Sequence, residues 1–194
     1  GVRSCRNVLE DEGIVGDVQV DRRYHGGPEQ AVHQFPLAHY PAIVARFPVL
    51  AGRAVAGSLG ENLGCDGLDE TTVCIGDVYA FGEVELEVSQ PRRPCTKIDA
   101  RFGEDGVARW LAERRTPGWY YRVRLPGEIA LGDPVTLRAR PYPDLSLARL
   151  LAATAASTPA IGELAPFADC PALGRDWRRR LQERIAHLRA SRGA

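Results

Sequence analysis

"TVCIGDVYAFGEVELEVSQPRRPC" (residues 72–95) is the stretch whose reading decides the fold. Gly76-Asp77 and Gly82-Glu83 are turn-forming pairs, so residues 72–90 divide into two or three short strands joined by tight turns. Val84, Leu86 and Val88 alternate with Glu85 and Glu87, a period of two that places the apolar side chains on one face and turns the glutamates to water. Beyond the strands Cys95 stands behind Pro94, with Arg92, Arg93 and Lys97 crowded around it. A cysteine kept only for packing has no need of such company, whereas a thiolate, or a thiol beside an anion, does. A free thiol titrates near ~8.5, and neighbouring cations or a metal lower that value substantially. Two readings of Cys95 stay open on these residues. It is a metal-ligating or nucleophilic thiolate, or a small buried residue at a strand end with solvated cations around it.

Working outward, "GWYYRVRLPGEIALGDPVTLRAR" (118–140) repeats the same grammar, with turns at Pro126-Gly127 and Gly132-Asp133. "GIVGDVQVD" (13–21) adds a Gly-Asp turn followed by alternating Val18 and Val20. Such a density of short strands and Gly-Asp turns predicts a β-barrel or a strongly bent sheet. Residues 37–47 and 104–115 carry helical spacing instead, with Val107, Trp110 and Leu111 on one face of the second. The grammar changes after "RPYPD" (140–144). Residues 146–156 are Leu/Ala-rich behind a Ser146 N-cap, and 160–168 are short and ambiguous. Residues 175–190 set Trp177, Leu181, Ile185 and Leu188 along one amphipathic stripe. The expectation is a mainly β chain with added helices: a β-barrel domain over 1–143 and a small three-helix domain over 144–194, joined by a proline-rich linker.

Composition narrows the function. Lys+Arg and Asp+Glu balance at 25 each in 194 residues, so no global field draws in a nucleic acid polymer or a membrane surface, and any anion binding must be local. No apolar run approaches the roughly 18–20 residues of a membrane helix, and no signal-peptide pattern opens the chain. The five cysteines are odd in number and include no CxxC, which argues against a zinc ribbon, a thioredoxin site or an iron–sulfur cluster. Reduced thiols in the cytoplasm are the natural reading. The lack of any Met points to a processed, trimmed or engineered start and leaves a missing upstream segment open.

Two further stretches carry chemistry. In "DRRYHGGPEQAVHQFP" (21–36), His25-Gly26-Gly27-Pro28 is a tight loop whose backbone amides can form an anion-binding nest beside Arg22 and Arg23. An ordinary glycine turn with His25 as a hydrogen-bonding plug accounts for the same residues, and neither GxGxxG nor GxxxxGK[ST] is present. In "GSLGENLGCDGLDE" (57–70), the spacing of Glu61, Asn62, Asp66, Asp69 and Glu70 excludes an EF-hand loop. Asn62 either hydrogen-bonds a ligand from a pocket-lining loop or belongs to a structural turn. Cys65 and Cys74 have no cationic neighbours and read as packing residues. His33 and His39 could approach His25, but spacing alone makes no metal triad of them, and His187 reads as a surface residue of the last helix.

Together these stretches are far more specific than any one alone. "GDVQVDRRYHGGPEQAVHQFPLAHY", "GENLGCDGL", "VCIGDVYAFGEVELEVSQPRRPC", "GWYYRV" and "GEIALGDPV", in this order, resemble the MOSC domain, the carboxy-terminal part of molybdenum cofactor sulfurases, over residues 13–190. Order and spacing are most similar to its YiiM branch, in which a MOSC barrel precedes a three-helix domain. The resemblance implies a β-barrel that binds the pterin-based molybdenum cofactor (molybdopterin), with Cys95 as the protein ligand to the metal. It places Arg92, Arg93 and Lys97 beside the thiolate or the cofactor's phosphate, and His25, Gly26, Gly27 and Asn62 in the pocket-forming loops. There are two departures. Only twelve residues precede Gly13, where relatives carry an additional amino-terminal strand; were that strand absent, the barrel would have an open edge needing cover by a partner or by upstream sequence. Arg93 would narrow the site or favour an anionic ligand.

The activity implied by the resemblance is reduction of N-hydroxylated compounds, namely hydroxylaminopurine-type bases, hydroxylamines and amidoximes, to amines or amidines. Two electrons and two protons are consumed and water is released. His25 is the first candidate proton donor and Lys97 the second. The chain carries no nicotinamide fingerprint and no four-cysteine set, so a separate electron-donating reductase or iron–sulfur protein is expected. The helical tail or Arg178–Arg180 is a candidate docking surface, although a solvated helix face is the better account of that triplet. A homodimer is left open. The rival reading is a non-catalytic carrier of the cofactor or of a Cys95 persulfide. A cysteine hydrolase pairing Cys95 with His25 has only two residue types behind it.

Overall fold

The Gly82-Glu83 turn closes an antiparallel hairpin in which Phe81 pairs with Val84 and Val78 with Glu87. This hairpin, β5 (Val78–Phe81) and β6 (Val84–Pro91), lies at the heart of the fold. The computed structural model describes residues 6–10, 13–14 and 27–192. Strands β1 (Arg6–Glu10), β2 (Gly13–Ile14), β3 (Val32–Pro36) and β4 (Leu63–Cys65) precede the hairpin; β7 (Trp119–Leu125), β8 (Gly127–Ala130) and β9 (Val135–Ala139) follow it. Six strands form a curled mixed sheet in the order β4-β3-β7-β6-β5-β9. Only β3 and β4 run parallel in it. Register slips between β6 and β7 at Glu85/Leu86 and Val88/Gln90 bend the long β6 and help the sheet to curl. A second sheet runs β2-β1-β8.

The expected fold class is the observed one: mainly β with added helices. Two expectations need correction. The amino-terminal strand whose absence would open an edge is present: β1 precedes Gly13 and pairs antiparallel with β8, and Leu9 is fully buried. Its five residues were too few to stand out by alternation. Glu87 does not face water either: it is buried, 2.7 Å from Arg122 and 2.9 Å from Arg124 of the adjacent β7. The long arginines of the neighbouring strand fold over this face and take the carboxylate out of solvent.

The Gly-Asp turns have a side-chain reason. Asp77 is fully buried, and its carboxylate accepts from Arg140 at 2.7 and 2.9 Å, from the Cys74 amide at 2.9 Å and from the Tyr79 hydroxyl at 3.2 Å. The buried carboxylate thus has its hydrogen-bonding capacity filled, and the turn it closes ties β5 to the end of β9. Asp133 caps its own turn by accepting from Ala130 N at 2.8 Å.

The helices sit in two places. Helices α1 (Tyr40–Arg46), α2 (Lys97–Phe102) and α3 (Val107–Arg114) enclose a core of Phe35, Ile43, Leu50, Ile98, Phe102 and Leu111. Helices α4 (Leu147–Ala155), α5 (Ile161–Ala168) and α6 (Arg175–Arg192) bury Leu147, Leu150, Phe167, Leu181 and Ile185 in the same cluster as Ile75, Leu86 and Trp119 of the sheet region. Ser146 is the N-cap of α4, accepting from Arg149 N at 3.3 Å. The first amide of α6, that of Arg175, donates to Glu29 Oε2 at 2.8 Å, which fastens the tail to the segment after Gly27. Among the described residues no helix is long and apolar enough to cross a membrane.

Candidate functional site

Strand β6 ends at Pro91 and α2 begins at Lys97, so Cys95 lies in the short link between them. The link is anchored at both ends: Arg92 N donates to Gly118 O at 2.9 Å, and Cys95 O accepts from Ile98 N at 2.9 Å. The Cys95 side chain is half-buried and lines a cavity of about 260 Å³. Arg92, Lys97 and Arg101 line the same cavity, as do Tyr120 from β7, Ile98 from α2 and the Ser58–Gly60 loop. The sulfur is thus neither sealed in apolar packing nor turned away from open space. The volume is near the lower end for small-molecule sites.

Of the residues singled out from sequence, Cys95, Arg92 and Lys97 come together. Arg93 does not join them. It is exposed and stands near Arg180 and Asp176 of α6, where partial burial first, and then the like charge of Arg180, lower its proton affinity. Asn62 is engaged elsewhere: its Oδ1 accepts from His33 N at 2.8 Å while its own N–H donates to His33 O at 2.8 Å. It lines a second cavity of about 230 Å³ with Leu63, Cys65, Phe81 and Ile129. Gly27 is exposed, with φ 88°, ahead of a single 3-10 turn over Pro28–Gln30. Arg22, Arg23, His25 and Gly26 lie outside the described residues.

The structure adds cavity residues that sequence reasoning passed over. Arg101 is four residues beyond Lys97, one helical turn along α2, and was hidden because that six-residue helix was not recognised. Tyr120 arrives through sheet pairing, opposite Gln90 of β6. Its hydroxyl is pushed up in pKa chiefly by burial; Arg92 opposes the shift and a negative charge on Cys95 adds to it. Tyr120, which lines the cavity, therefore keeps its hydroxyl proton at neutral pH.

Behind Tyr120 lies His33, 4% exposed, with ring centroids 5.1 Å apart. Burial foremost, then the charge of Arg92, drives its pKa well below the ordinary 6.5, although contacts with the carbonyls of Gly60 and Pro117 pull the other way. His33 Nε2 has no hydrogen-bond partner. The imidazole is neutral in the folded protein, and this has a consequence for stability. Below pH 6.5 the unfolded chain binds a proton at this histidine that the folded one refuses, so stability falls as pH drops from 6.5 toward the lower folded value. Chemical denaturation between pH 8 and 5 should show that loss, and His33→Gln, which cannot titrate, should flatten it. A wild-type slope that survives in His33→Gln would move the effect to other groups.

Residues 21–136 match the MOSC domain. The chain is 33% identical over 185 residues to protein YiiM of Escherichia coli (strain K12), covering 91% of this chain and 79% of that protein. The chain belongs to the MOSC domain family. A crystal structure of YiiM from Escherichia coli superposes with a TM-score of 0.85 at 30% identity, covering 95% of this chain and 87% of that one. A protein of Gibberella moniliformis (strain M3125 / FGSC 7600) described as a reductase is 40% identical over 136 residues, 70% of this chain but 24% of its own length. This chain therefore spans about a quarter of that relative.

MOSC domains are associated with molybdenum cofactor binding, and the donor set here fits such a group. Among the described residues no cluster of three or more His, Cys, Asp and Glu could hold a metal ion. Among the described residues a metal at Cys95 would therefore meet a single protein sulfur, which suits a metal carried on an organic ligand. Three cationic side chains on the cavity wall suit a carrier that bears anionic groups. The four described cysteines are free thiols, but Cys65 and Cys74 are poor competitors: burial chiefly raises the pKa of both and keeps them protonated.

Proposed function

We propose that this MOSC protein is a molybdenum cofactor-dependent reductase that converts N-hydroxylated compounds to the corresponding amines or amidines. Hydroxylaminopurine-type bases, hydroxylamines and amidoximes are the substrate class. The observation that carries this reading is the half-buried Cys95 on the wall of a cavity that Arg92, Lys97, Arg101 and Tyr120 also line.

When bound, the reduced cofactor supplies the two electrons that cleave the N–O bond. The chain supplies everything around that event. Cys95 as thiolate is a soft, strongly donating ligand suited to a soft metal. Arg92 and Arg101 offer guanidinium hydrogen bonds to anionic oxygens. Lys97 lines the cavity and is a candidate source of one of the two protons that leave with the oxygen as water. His25 is the other candidate, on the strength of the family resemblance. Tyr120, kept protonated by its burial, can hold the substrate hydroxyl by a hydrogen bond without surrendering a proton. Electrons come from a separate reductase or iron–sulfur protein.

The decisive experiment is metal analysis of freshly purified protein, followed by turnover of 6-hydroxylaminopurine with an artificial low-potential donor. The expected result is molybdenum bound near one per chain and conversion to adenine. Persulfide on Cys95 without molybdenum would instead establish a sulfur carrier, and bound molybdenum without turnover a cofactor carrier. Sustained NADPH oxidation by the purified chain alone would remove the need for a partner.

A further inference from the structure

The cavity wall formed by Ser58–Gly60 owes its shape to a carboxylate that does not line the cavity. Glu61 Oε1 accepts from Gly57 N at 2.6 Å and from the hydroxyl of Tyr40; Oε2 accepts from Leu59 N at 3.2 Å. Three donors gathered on one carboxylate close residues 57–61 into a tight loop, helped by positive φ at Gly57 (86°) and Gly60 (76°). The carbonyls of that loop then point outward and receive two guanidinium groups. Leu59 O accepts from Arg92 Nη1 at 2.9 Å and Gly57 O from Arg101 Nη2 at 3.2 Å. The same two arginines line the cavity with Cys95.

We propose that Glu61 is a positioning residue for this cavity: by shaping the 57–61 loop it aims Arg92 and Arg101 at a phosphate monoester that it never touches. The inference rests on the reading that the cavity takes a phosphate-bearing ligand. The phosphate can belong to the pterin cofactor or to a nucleotide substrate; the chemistry recognised is the same. The sign of the effect separates positioning from plain charge. Glu61 is itself an anion, so removing its charge without disturbing the loop would strengthen anion binding. Loss of positioning does the opposite.

The test is calorimetric binding of inorganic phosphate to cofactor-free protein at low ionic strength, for wild type, Glu61→Gln and Tyr40→Phe. Glu61→Gln should weaken phosphate binding about tenfold, the effect of misaligning one charge-assisted hydrogen bond. Amide exchange at Gly57 and Leu59 should accelerate while the rest of the protein keeps its protection. Tyr40→Phe leaves the charge of Glu61 and the ring packing on Phe35 (centroids 5.1 Å apart) in place, and should weaken binding to a smaller degree. It decides the matter alone if Glu61→Gln fails to fold. Equal or tighter phosphate binding in the variants overturns the proposal while leaving the reductase reading intact. Wild-type protein that turns over 6-hydroxylaminopurine but shows no phosphate binding overturns it too. Phosphate binding abolished by cofactor loading assigns the site to the cofactor; binding that persists and is competed by adenosine monophosphate assigns it to substrate. Either outcome, with the loss in Glu61→Gln, supports the proposal.

Discussion

Cys95→Ser is expected to yield a folded protein that holds at least about a hundredfold less molybdenum at a given cofactor supply and has lost turnover to match. Altering groups behind a metal's direct ligands already costs about 10–100-fold in affinity or activity, and here the proposed protein ligand itself is replaced. The serine hydroxyl is a harder donor and remains protonated at neutral pH, so it neither matches the metal nor gains from the cations around it. The fold has little reason to object. The sulfur is half-buried beside an open cavity, and the hydrogen bond that anchors the residue is made by its backbone carbonyl to Ile98 N. Thermal unfolding should therefore stay within a few degrees of wild type, each kcal/mol being worth about 2–4 °C in a chain of this size. Cys65→Ser is the matched control: its thiol is held protonated by burial and by the nearby Asp66, and molybdenum content should be unchanged. Elemental analysis, turnover with the artificial donor and a melting curve on the three proteins decide the point. A Cys95→Ser protein that keeps its molybdenum would break the link between this cysteine and the metal.

What was legible in the sequence, and what was not, follows the range of the interactions involved. The β5–β6 hairpin could be read because its alternation and its Gly82-Glu83 turn are local. The amphipathic stripe of α6 could be read for the same reason, and Leu181 and Ile185 are indeed buried. Cys95, Arg92 and Lys97 are close in sequence, and the short link between β6 and α2 keeps them close in space. Tyr120 needed the pairing of β7 with β6, and the Leu59 wall needed the long arm of Arg92 across 33 residues. Neither leaves a local trace. The KIDARF segment of α2 offers only Ile98 and Phe102 as large apolar positions, too few to declare a helical stripe. Asn62 drew attention as an amide in a glycine-rich loop, yet the neighbouring Glu61 organises the cavity wall while Asn62 staples β4 to His33. Residue type suggested a ligand contact; only the hydrogen-bond partners could say which of two adjacent polar residues shapes the site.

Gly118→Ala is expected to be the most destabilising small substitution at the site, for reasons that also reach the cavity. Gly118 has φ +76°, a region where a Cβ costs roughly 1–2 kcal/mol. The added carbon would also fall 2.3 Å from Gln34 O, 3.2 Å from His33 Nε2 and 3.2 Å from Phe35 Cδ2. The first of these is backbone in β3, paired with β7 at Gln34↔Trp119, so relief requires the two strands to part. Overpacking of this kind adds about 1–3 kcal/mol. The sum, about 2–5 kcal/mol, should lower the melting temperature by roughly 5–15 °C. The damage spreads because Gly118 N donates to the buried Glu70 Oε1 at 2.8 Å, and Glu70 Oε2 lies 2.8 Å from His39 Nε2. On the other side Gly118 O accepts from Arg92 N at 2.9 Å, so a shift of this residue moves the start of the Cys95 link. Cofactor retention should fall together with stability. Gly67→Ala isolates the steric part: Gly67 has φ +78° but nothing within 4 Å of a built Cβ, so it carries the same conformational cost alone, roughly 1–2 kcal/mol. The excess drop in Gly118→Ala over Gly67→Ala then measures the contact with β3. If the two variants melt within about 2 °C of each other, β3 and β7 are not as close at this point as the geometry requires, and Gly118 is no more than another turn glycine.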